Sequence, residues 1–539
     1  MLAVAALAPR SLAALPGRPF ARENALVREV YARHPGPLWI ADGRLTAQAE
    51  ALIGQLRGAN RYGLDPGDFA VESIGAAVDA LAGERPASAA RLAALDRMLT
   101  RTALRLVGEL HYGRVDPRAA GFEMPPRLHR LDPAATVEAL ATAPNIASVL
   151  GAIQPPFYHY RILLRALAKY RALAAEHGLT RLPAPAHRSL RLGDVYAGAP
   201  ALRRRLSAVG DLAAGGNLAA GGDAATPPNA DVLDEALVAA LMRFQQRHGL
   251  TPDGILGPRT YAALTTPMAQ RVEQIELTLE RWRWLPPFAA PPIIVNIPQF
   301  RLFAFPTVAD RAAGMLQMPV IVGEAYPRTQ TPVFTGKVEY LVFRPYWDLP
   351  RSIVRREVLP ALATHPNYLA HNHLELVRGP SESSPVVAAT LAAIAALAAG
   401  RLRLRQRPGV DNALGLVKFI FPNSHEVYLH STPARALFEE SRRAFSHGCI
   451  RVGDPVALAR YVLRNNAGQW TDAKILAAMH GADDVRVTLA QPVPVMILYG
   501  TALATEAGPV DFFDDIYGQD RRLAALLRRG LLPPRQAQR

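Results

Sequence analysis

The sequence predicts a multidomain α+β protein: a helical N-terminal domain, a small three-helix domain, and a β-rich C-terminal domain carrying an inserted segment. Three observations predict it. The chain has 539 residues, enough for three or four domains that each bury a core. Apolar residues recur at helical spacing through its first half, as at Leu92, Leu95, Leu99, Leu106 and Leu110. From Ile293 onward the pattern changes to short, β-branched and aromatic runs separated by turn residues.

Taken in order, residues 1–20 open on an apolar, Ala-rich stretch, Met1 to Ala14, with no basic residues ahead of it. This is either the remnant of an export signal or a plain helix. Residues 21–190 form the helical scaffold domain, with helices expected at Arg91–Leu110 and Tyr158–Glu176 and turns at Asn60–Pro66 and Pro155-Pro156. His111 and His159 fall in this helical frame and are expected to be structural.

Residues 191–266 contain an insert rich in Gly, Ala and Pro, Gly215 to Asn229, then a helix–turn–helix pattern. Leu237, Leu241 and Phe244 make an apolar stripe. Gly249 suits a left-handed helix end, Asp253-Gly254 a turn, and Pro258 a helix first turn. With Gln245, Leu250, Gly257, Thr260 and Ala263-Leu264, the segment resembles the second half of a peptidoglycan-binding repeat. The resemblance implies either wall binding or docking against a neighbouring domain, because fold alone does not fix function.

A connecting helix, Val272–Leu285, lies within 267–290. Residues 291–505 then read as the β-rich domain, with strands at Ile293–Ile297, Phe300–Phe305, Met318–Val322, Lys337–Phe343, Gly415–Phe421, His425–His430, Val485–Leu489 and Val495–Tyr499. Helices are expected at Ser352–Ala361, Pro433–Arg443, Asp454–Leu463 and Thr471–His480. Residues 365–407 change character and read as an insertion. His365, His371 and His373 occur there without a Cys or carboxylate at ligand spacing, which favours a surface loop over a metal site. Residues 506–539 form a helical tail with a basic end.

The chemistry concentrates in Ser446-His447-Gly448-Cys449-Ile450-Arg451. Cys449 is the single cysteine of the chain. His430, in Tyr428-Leu429-His430-Ser431-Thr432-Pro433, stands 19 positions before it. An imidazole beside a thiol is what nucleophilic cysteine chemistry requires, since the thiolate attacks and the imidazole manages its proton. The isolated tripeptide His-Gly-Cys is weak, because a lone cysteine is usually a small buried hydrophobe. The longer pattern is similar to the signature of the L,D-transpeptidases with a YkuD-type catalytic domain. Pro345-Tyr346-Trp347-Asp348-Leu349-Pro350 and the helical N-terminal region also resemble the larger multidomain members.

That resemblance implies a set of roles. Cys449 is the nucleophile and His430 the acid/base, oriented by the Ser431 segment. The N–H groups of Gly448 and Cys449 are the expected oxyanion donors. His447 shapes the turn or donates a hydrogen bond, ranking below His430 as base. Arg451 holds a substrate carboxylate or an inward structural ion pair. Tyr428, Ser446 and Trp347 complete the expected substrate site, and 365–407 is the expected capping segment over the cleft. The implied reaction joins two peptidoglycan stem peptides in a 3→3 crosslink through a cysteine thioester, with release of D-Ala and no metal or organic cofactor. The thiol is then also a carbapenem target.

Two other readings remain: a cysteine hydrolase of wall peptides, and a non-catalytic wall-binding scaffold. A papain-like arrangement is disfavoured because there the Cys precedes the His. The formal net charge of +15 is carried almost wholly by Arg, with four lysines, and is spread along the chain rather than clustered. Nucleic acid is therefore not an expected partner. No apolar run reaches the length of a membrane-spanning helix. One cysteine cannot form an intramolecular disulfide, which suits an exported protein of the periplasm or cell envelope. Nothing in the sequence sets an oligomeric state.

Overall fold

The structure, a computed structural model, describes residues 23–529 apart from 83–87, 125–130, 177–178, 180–181, 214–230, 310–312, 327–328, 382, 505 and 507. The expected leader remnant at 1–20 and the insert at 215–229 lie outside the described residues. The chain divides into two compact units. One combines the described residues up to Pro287 with those from Tyr499 onward; the other is Phe288–Leu498. Helices dominate the first and strands the second, which is the multidomain α+β architecture expected.

The helical unit is built around the 24-residue helix Ala89–Tyr112, whose Leu95, Leu99, Leu106 and Leu110 are buried. Asp96 on this helix is buried too, and it accepts hydrogen bonds from Tyr31 Oη (2.5 Å) and the Trp39 N–H (2.7 Å). His111 bonds the Ile153 carbonyl through Nδ1 (2.7 Å), and His159 stacks on Trp282. The small three-helix element consists of Ala199–Val209, Glu235–Arg247 and Pro258–Thr265 around Leu202, Leu206, Leu237, Leu241, Phe244 and Leu264. Buried Gln245 pins its turn. Its amide N–H groups reach Asp253 Oδ1 (2.8 Å) and Thr260 Oγ1 (3.1 Å), and its carbonyl accepts from the Gly254 N–H (2.8 Å).

The C-terminal segment is not a free-standing tail. Strands Ala502–Ala504 and Val510–Phe512 pair, and the helix Gln519–Arg529 follows. Arg247 donates to the Val510 carbonyl, Arg281 pairs with Asp520 (2.5 Å), and Thr501 donates to the same carboxylate (2.6 Å). Buried guanidinium–carboxylate pairs of this kind are costly to break, so residues 499–529 are integral to the helical unit.

In the β-rich unit the strands follow one another around a closed circuit. The order is Leu316–Gly323, Ile450–Val452, Leu429–His430, Val417–Ile420, Thr335–Phe343, Val485–Leu498, Ile293–Asn296 and Arg301–Ala304, and the last pairs again with Leu316–Gly323. Ala444–Ser446 adds a parallel branch beside Leu316–Gly323. Closure removes exposed strand edges and fixes each register through two neighbours. Three local expectations change. The two strands expected at 485–499 are one 14-residue strand with a register shift between Thr488 and Val493. The strand expected at His425–His430 is reduced to Leu429–His430, because Glu426 takes a left-handed φ of 55° that no strand accommodates. The helix expected at Pro433–Arg443 is only the short 3₁₀ turn Arg435–Phe438.

The inserted segment has a core of its own. Trp347–Asp348, Arg403–Gln406, Leu374–Val377 and Val386–Val387 form a four-stranded sheet in that order. Val354, Val358, Leu369, Leu376, Leu397 and Leu404 pack together on it. Trp347–Asp348, ahead of residue 365, is an edge strand of this sheet. The helical stretch that follows it contains a π turn, Val354–Val358, in which the Leu359 N–H reaches back to the Val354 carbonyl. Pro360 follows directly and has no N–H to continue the regular ladder.

Candidate active site

Two short strands organise the site. Leu429–His430 and Ile450–Val452 run parallel, with Leu429 opposite Ile450 and His430 opposite Arg451. Side chains alternate along a strand, so Leu429 and Ile450 point into the core, and both are fully buried. The same alternation sends Tyr428, His430, Cys449 and Arg451 to the other face. Four groups that the sequence separates into two segments thus share one surface.

Each group has a distinct setting. His430 is buried, and its Nδ1 lies 2.6 Å from the Ser431 carbonyl. A carbonyl only accepts, so this contact calls for a proton on Nδ1; the Leu414 carbonyl also bonds the ring. Burial, with the Arg451 charge adding to it, pushes the imidazole pKa down to about 3. Gly415 permits this packing: a Cβ there would sit 2.6 Å from the Ser431 hydroxyl and the Thr432 nitrogen. Cys449 is half-buried, and its Sγ bonds the Glu426 carbonyl at 3.7 Å. Burial raises the thiol pKa, against the lowering influence of Tyr428 and Arg451. Burial also holds the Tyr428 phenol protonated; its hydroxyl contacts the thiol on one side and Trp347 on the other. Arg451 is half-buried, and its Nε has no hydrogen-bond partner among the described residues.

The resting state is therefore a neutral thiol and a neutral imidazole. A preformed thiolate at neutral pH is not what these environments favour, because desolvation penalises both charged forms. The thiol hydrogen bond goes to the Glu426 carbonyl and not to the imidazole.

The loop around Cys449 is tightly bonded. The Ser446 hydroxyl accepts from the Gly448 N–H (3.2 Å) and donates to the Cys449 carbonyl (2.5 Å). The Gly448 carbonyl accepts from the Thr331 hydroxyl (2.8 Å). Gly448 itself adopts φ 122°, which L side chains rarely enter. These bonds bear on two expected roles. Ser446 is buried and its hydroxyl is bonded within the turn. The Gly448 N–H is likewise occupied, while the Cys449 N–H meets no acceptor among the described residues. His447 points outward, half exposed, with Nε2 2.9 Å from Glu357 Oε1 on the π turn of the insertion.

Two contributors escaped sequence reasoning. Asn423 accepts from the His425 and Val427 N–H groups and donates to the Phe421 and Val427 carbonyls, which holds the loop that presents Glu426 and Tyr428. Pro422-Asn423 is a turn signal that carries this information. Glu357 has no such local signal, since its partner lies 90 residues away.

Comparison with known proteins agrees with this geometry. Residues 291–493 match the sequence model of the YkuD family, the L,D-transpeptidase catalytic domain. The β-rich unit is thus similar to an L,D-transpeptidase catalytic domain. Residues 199–264 match a "putative peptidoglycan binding domain" and residues 25–167 a scaffold domain. A Haemophilus influenzae protein named "Putative L,D-transpeptidase" is 31% identical over 251 residues, which is 47% of this chain and 49% of the relative. The chain thus spans about half the length of the curated relative it matches. Among the described residues, no helix is long and apolar enough to cross a membrane.

The buried imidazole of the β-rich unit has a consequence for stability. Unfolded, His430 takes up a proton near pH 6.5; folded, it stays neutral down to about pH 3. The unfolded state then binds more protons between those limits, so stability falls as pH falls through that window, by up to about 1.4 kcal/mol per pH unit. Urea unfolding of the full chain at pH 7 and pH 5 is expected to show a larger loss for the natural protein than for His430→Gln. Equal losses would contradict a neutral buried imidazole.

Proposed function

We propose that the protein is an L,D-transpeptidase of the cell envelope that forms 3→3 peptidoglycan crosslinks through a thioester on Cys449. The observation that carries this reading is the common face of Tyr428, His430, Cys449 and Arg451 set by the parallel strand register. The L,D-transpeptidase and peptidoglycan-binding matches supply the substrate class.

In this reading, the thiol turns from the Glu426 carbonyl and gives its proton to His430 as sulfur attacks the donor-stem carbonyl. The Cys449 N–H donates to the developing oxyanion. The C–N bond breaks, His430 returns the proton to the leaving amine, and D-Ala departs. The side-chain amine of a second stem then attacks the thioester, passes a proton through His430, and regenerates the thiol. Arg451, with its unpartnered Nε–H, offers a site for a stem carboxylate. Tyr428, which contacts the sulfur, and Trp347, which contacts the Tyr428 hydroxyl, position the donor. The segment beginning at Trp347 caps the site.

The test uses full-length protein and purified disaccharide-tetrapeptide. Mass spectrometry is expected to show dimers that have lost one D-Ala, with a single acyl adduct on Cys449 after exposure to a carbapenem. Tripeptide alone would instead indicate hydrolysis. Neither product nor adduct would indicate a scaffold.

A further inference from the structure

We propose that Thr331 is a positioning residue that aims the Cys449 N–H at the oxyanion; the inference rests on the transpeptidase reading above. The Thr331 side chain is 2% exposed and joins two segments of the β-rich unit. Its Oγ1 accepts the Gly323 N–H at 2.9 Å, at the end of the strand Leu316–Gly323. The hydroxyl proton is thereby directed to the Gly448 carbonyl, 2.8 Å away.

The Gly448 carbonyl and the Cys449 N–H belong to one peptide plane, and in a trans peptide they point in opposite directions. Anchoring the carbonyl therefore fixes the direction of the N–H. Glycine at 448 makes the anchor necessary: with no Cβ, rotation about its Cα–C bond, which sets the orientation of that peptide plane, is weakly restrained by sterics. Ser446 holds the neighbouring Gly448 N–H and the Cys449 carbonyl, but it does not touch the plane that carries the Cys449 N–H. Thr331 supplies that remaining restraint.

Gly323 makes the reach possible. A Cβ at 323 would lie 1.9 Å from the Thr329 carbonyl oxygen and 2.7 Å from the Thr331 nitrogen, so a side chain there would push Thr331 away from Gly448. Thr331 contacts no reacting atom in this arrangement. Its effect passes through one peptide plane, and it belongs to the transition state more than to the thiol itself.

The test separates acyl transfer from thiol reactivity. Alkylation of Cys449 by iodoacetamide needs no oxyanion donor, whereas acylation by a carbapenem does. Thr331→Val keeps the shape and removes the hydroxyl. It is expected to slow acylation roughly ten- to a hundredfold, a part of what loss of an oxyanion donor costs. Its alkylation rate and pH profile are expected to match the natural protein. Thr331→Ser, which keeps the hydroxyl, is expected to restore most of the acylation rate. Thr331→Ala serves as a second hydroxyl-free variant if the valine form does not fold. Unchanged acylation in a folded hydroxyl-free variant would overturn the proposal. So would equal losses in alkylation and acylation, since that would mean a displaced thiol. Failure of the natural protein to acylate would overturn the transpeptidase reading instead.

Discussion

Cys449→Ala is expected to eliminate crosslinking outright, with product formation reduced at least about a thousandfold, the scale of losing a covalent nucleophile. Several features make this expectation sharp. Cys449 is the single cysteine, so no second thiol can substitute. Its sulfur is half-buried and bonds the Glu426 carbonyl and the Tyr428 hydroxyl, so removal leaves a small space and no orphaned buried charge. The fold should therefore survive, and near-native circular dichroism is expected beside absent dimer. Cys449→Ala should also show no mass increase with a carbapenem. Residual crosslinking above the background of a heat-treated sample would sink the assignment of the nucleophile.

The second large effect concerns His430 and carries a pH signature. His430→Gln is expected to lower the acyl-transfer rate by about a hundredfold to ten-thousandfold, the usual range for a general base. The natural protein should differ from ordinary histidine-dependent enzymes in its acid limb. The imidazole remains neutral down to about pH 3, so kcat/KM should not decline through pH 6.5 on account of this residue. The thiol, raised by burial, places its own titration above the ordinary cysteine range. Neutral reactants over a wide interval imply a broad plateau. An acid limb centred near pH 6.5 that vanishes in His430→Gln would contradict the buried, neutral imidazole.

The Glu357–His447 pair illustrates a different scale. Both side chains are about half exposed, and surface pairs of this kind contribute little to stability. Its interest is spatial: it joins the inserted segment to the turn that carries Cys449.

Much of this was legible in the sequence because it is local. The alternation of multidomain helix and strand, the His430 and Cys449 segments, and the Gln245 turn each depend on residues within a few positions of one another. Asp454 capping the helix Pro455–Val462 through the Ala457 N–H is of the same kind. The expected strand at 425–430 failed for a local reason that composition does not show, the left-handed Glu426. What tertiary structure alone decided was direction. The sequence brings an imidazole and a thiol near each other, but only the parallel register of Leu429–His430 with Ile450–Val452 puts both on one face. Only the fold shows that Ser446 and the Gly448 N–H are consumed within the turn, and that Thr331, 117 residues before Gly448 in sequence, holds its carbonyl. Only burial, a property of the closed sheet, sets the resting proton balance of His430 and Cys449. Residue type determines which chemistry is possible; hydrogen-bond direction and desolvation arise from long-range packing, and they decide which atoms remain free to perform it.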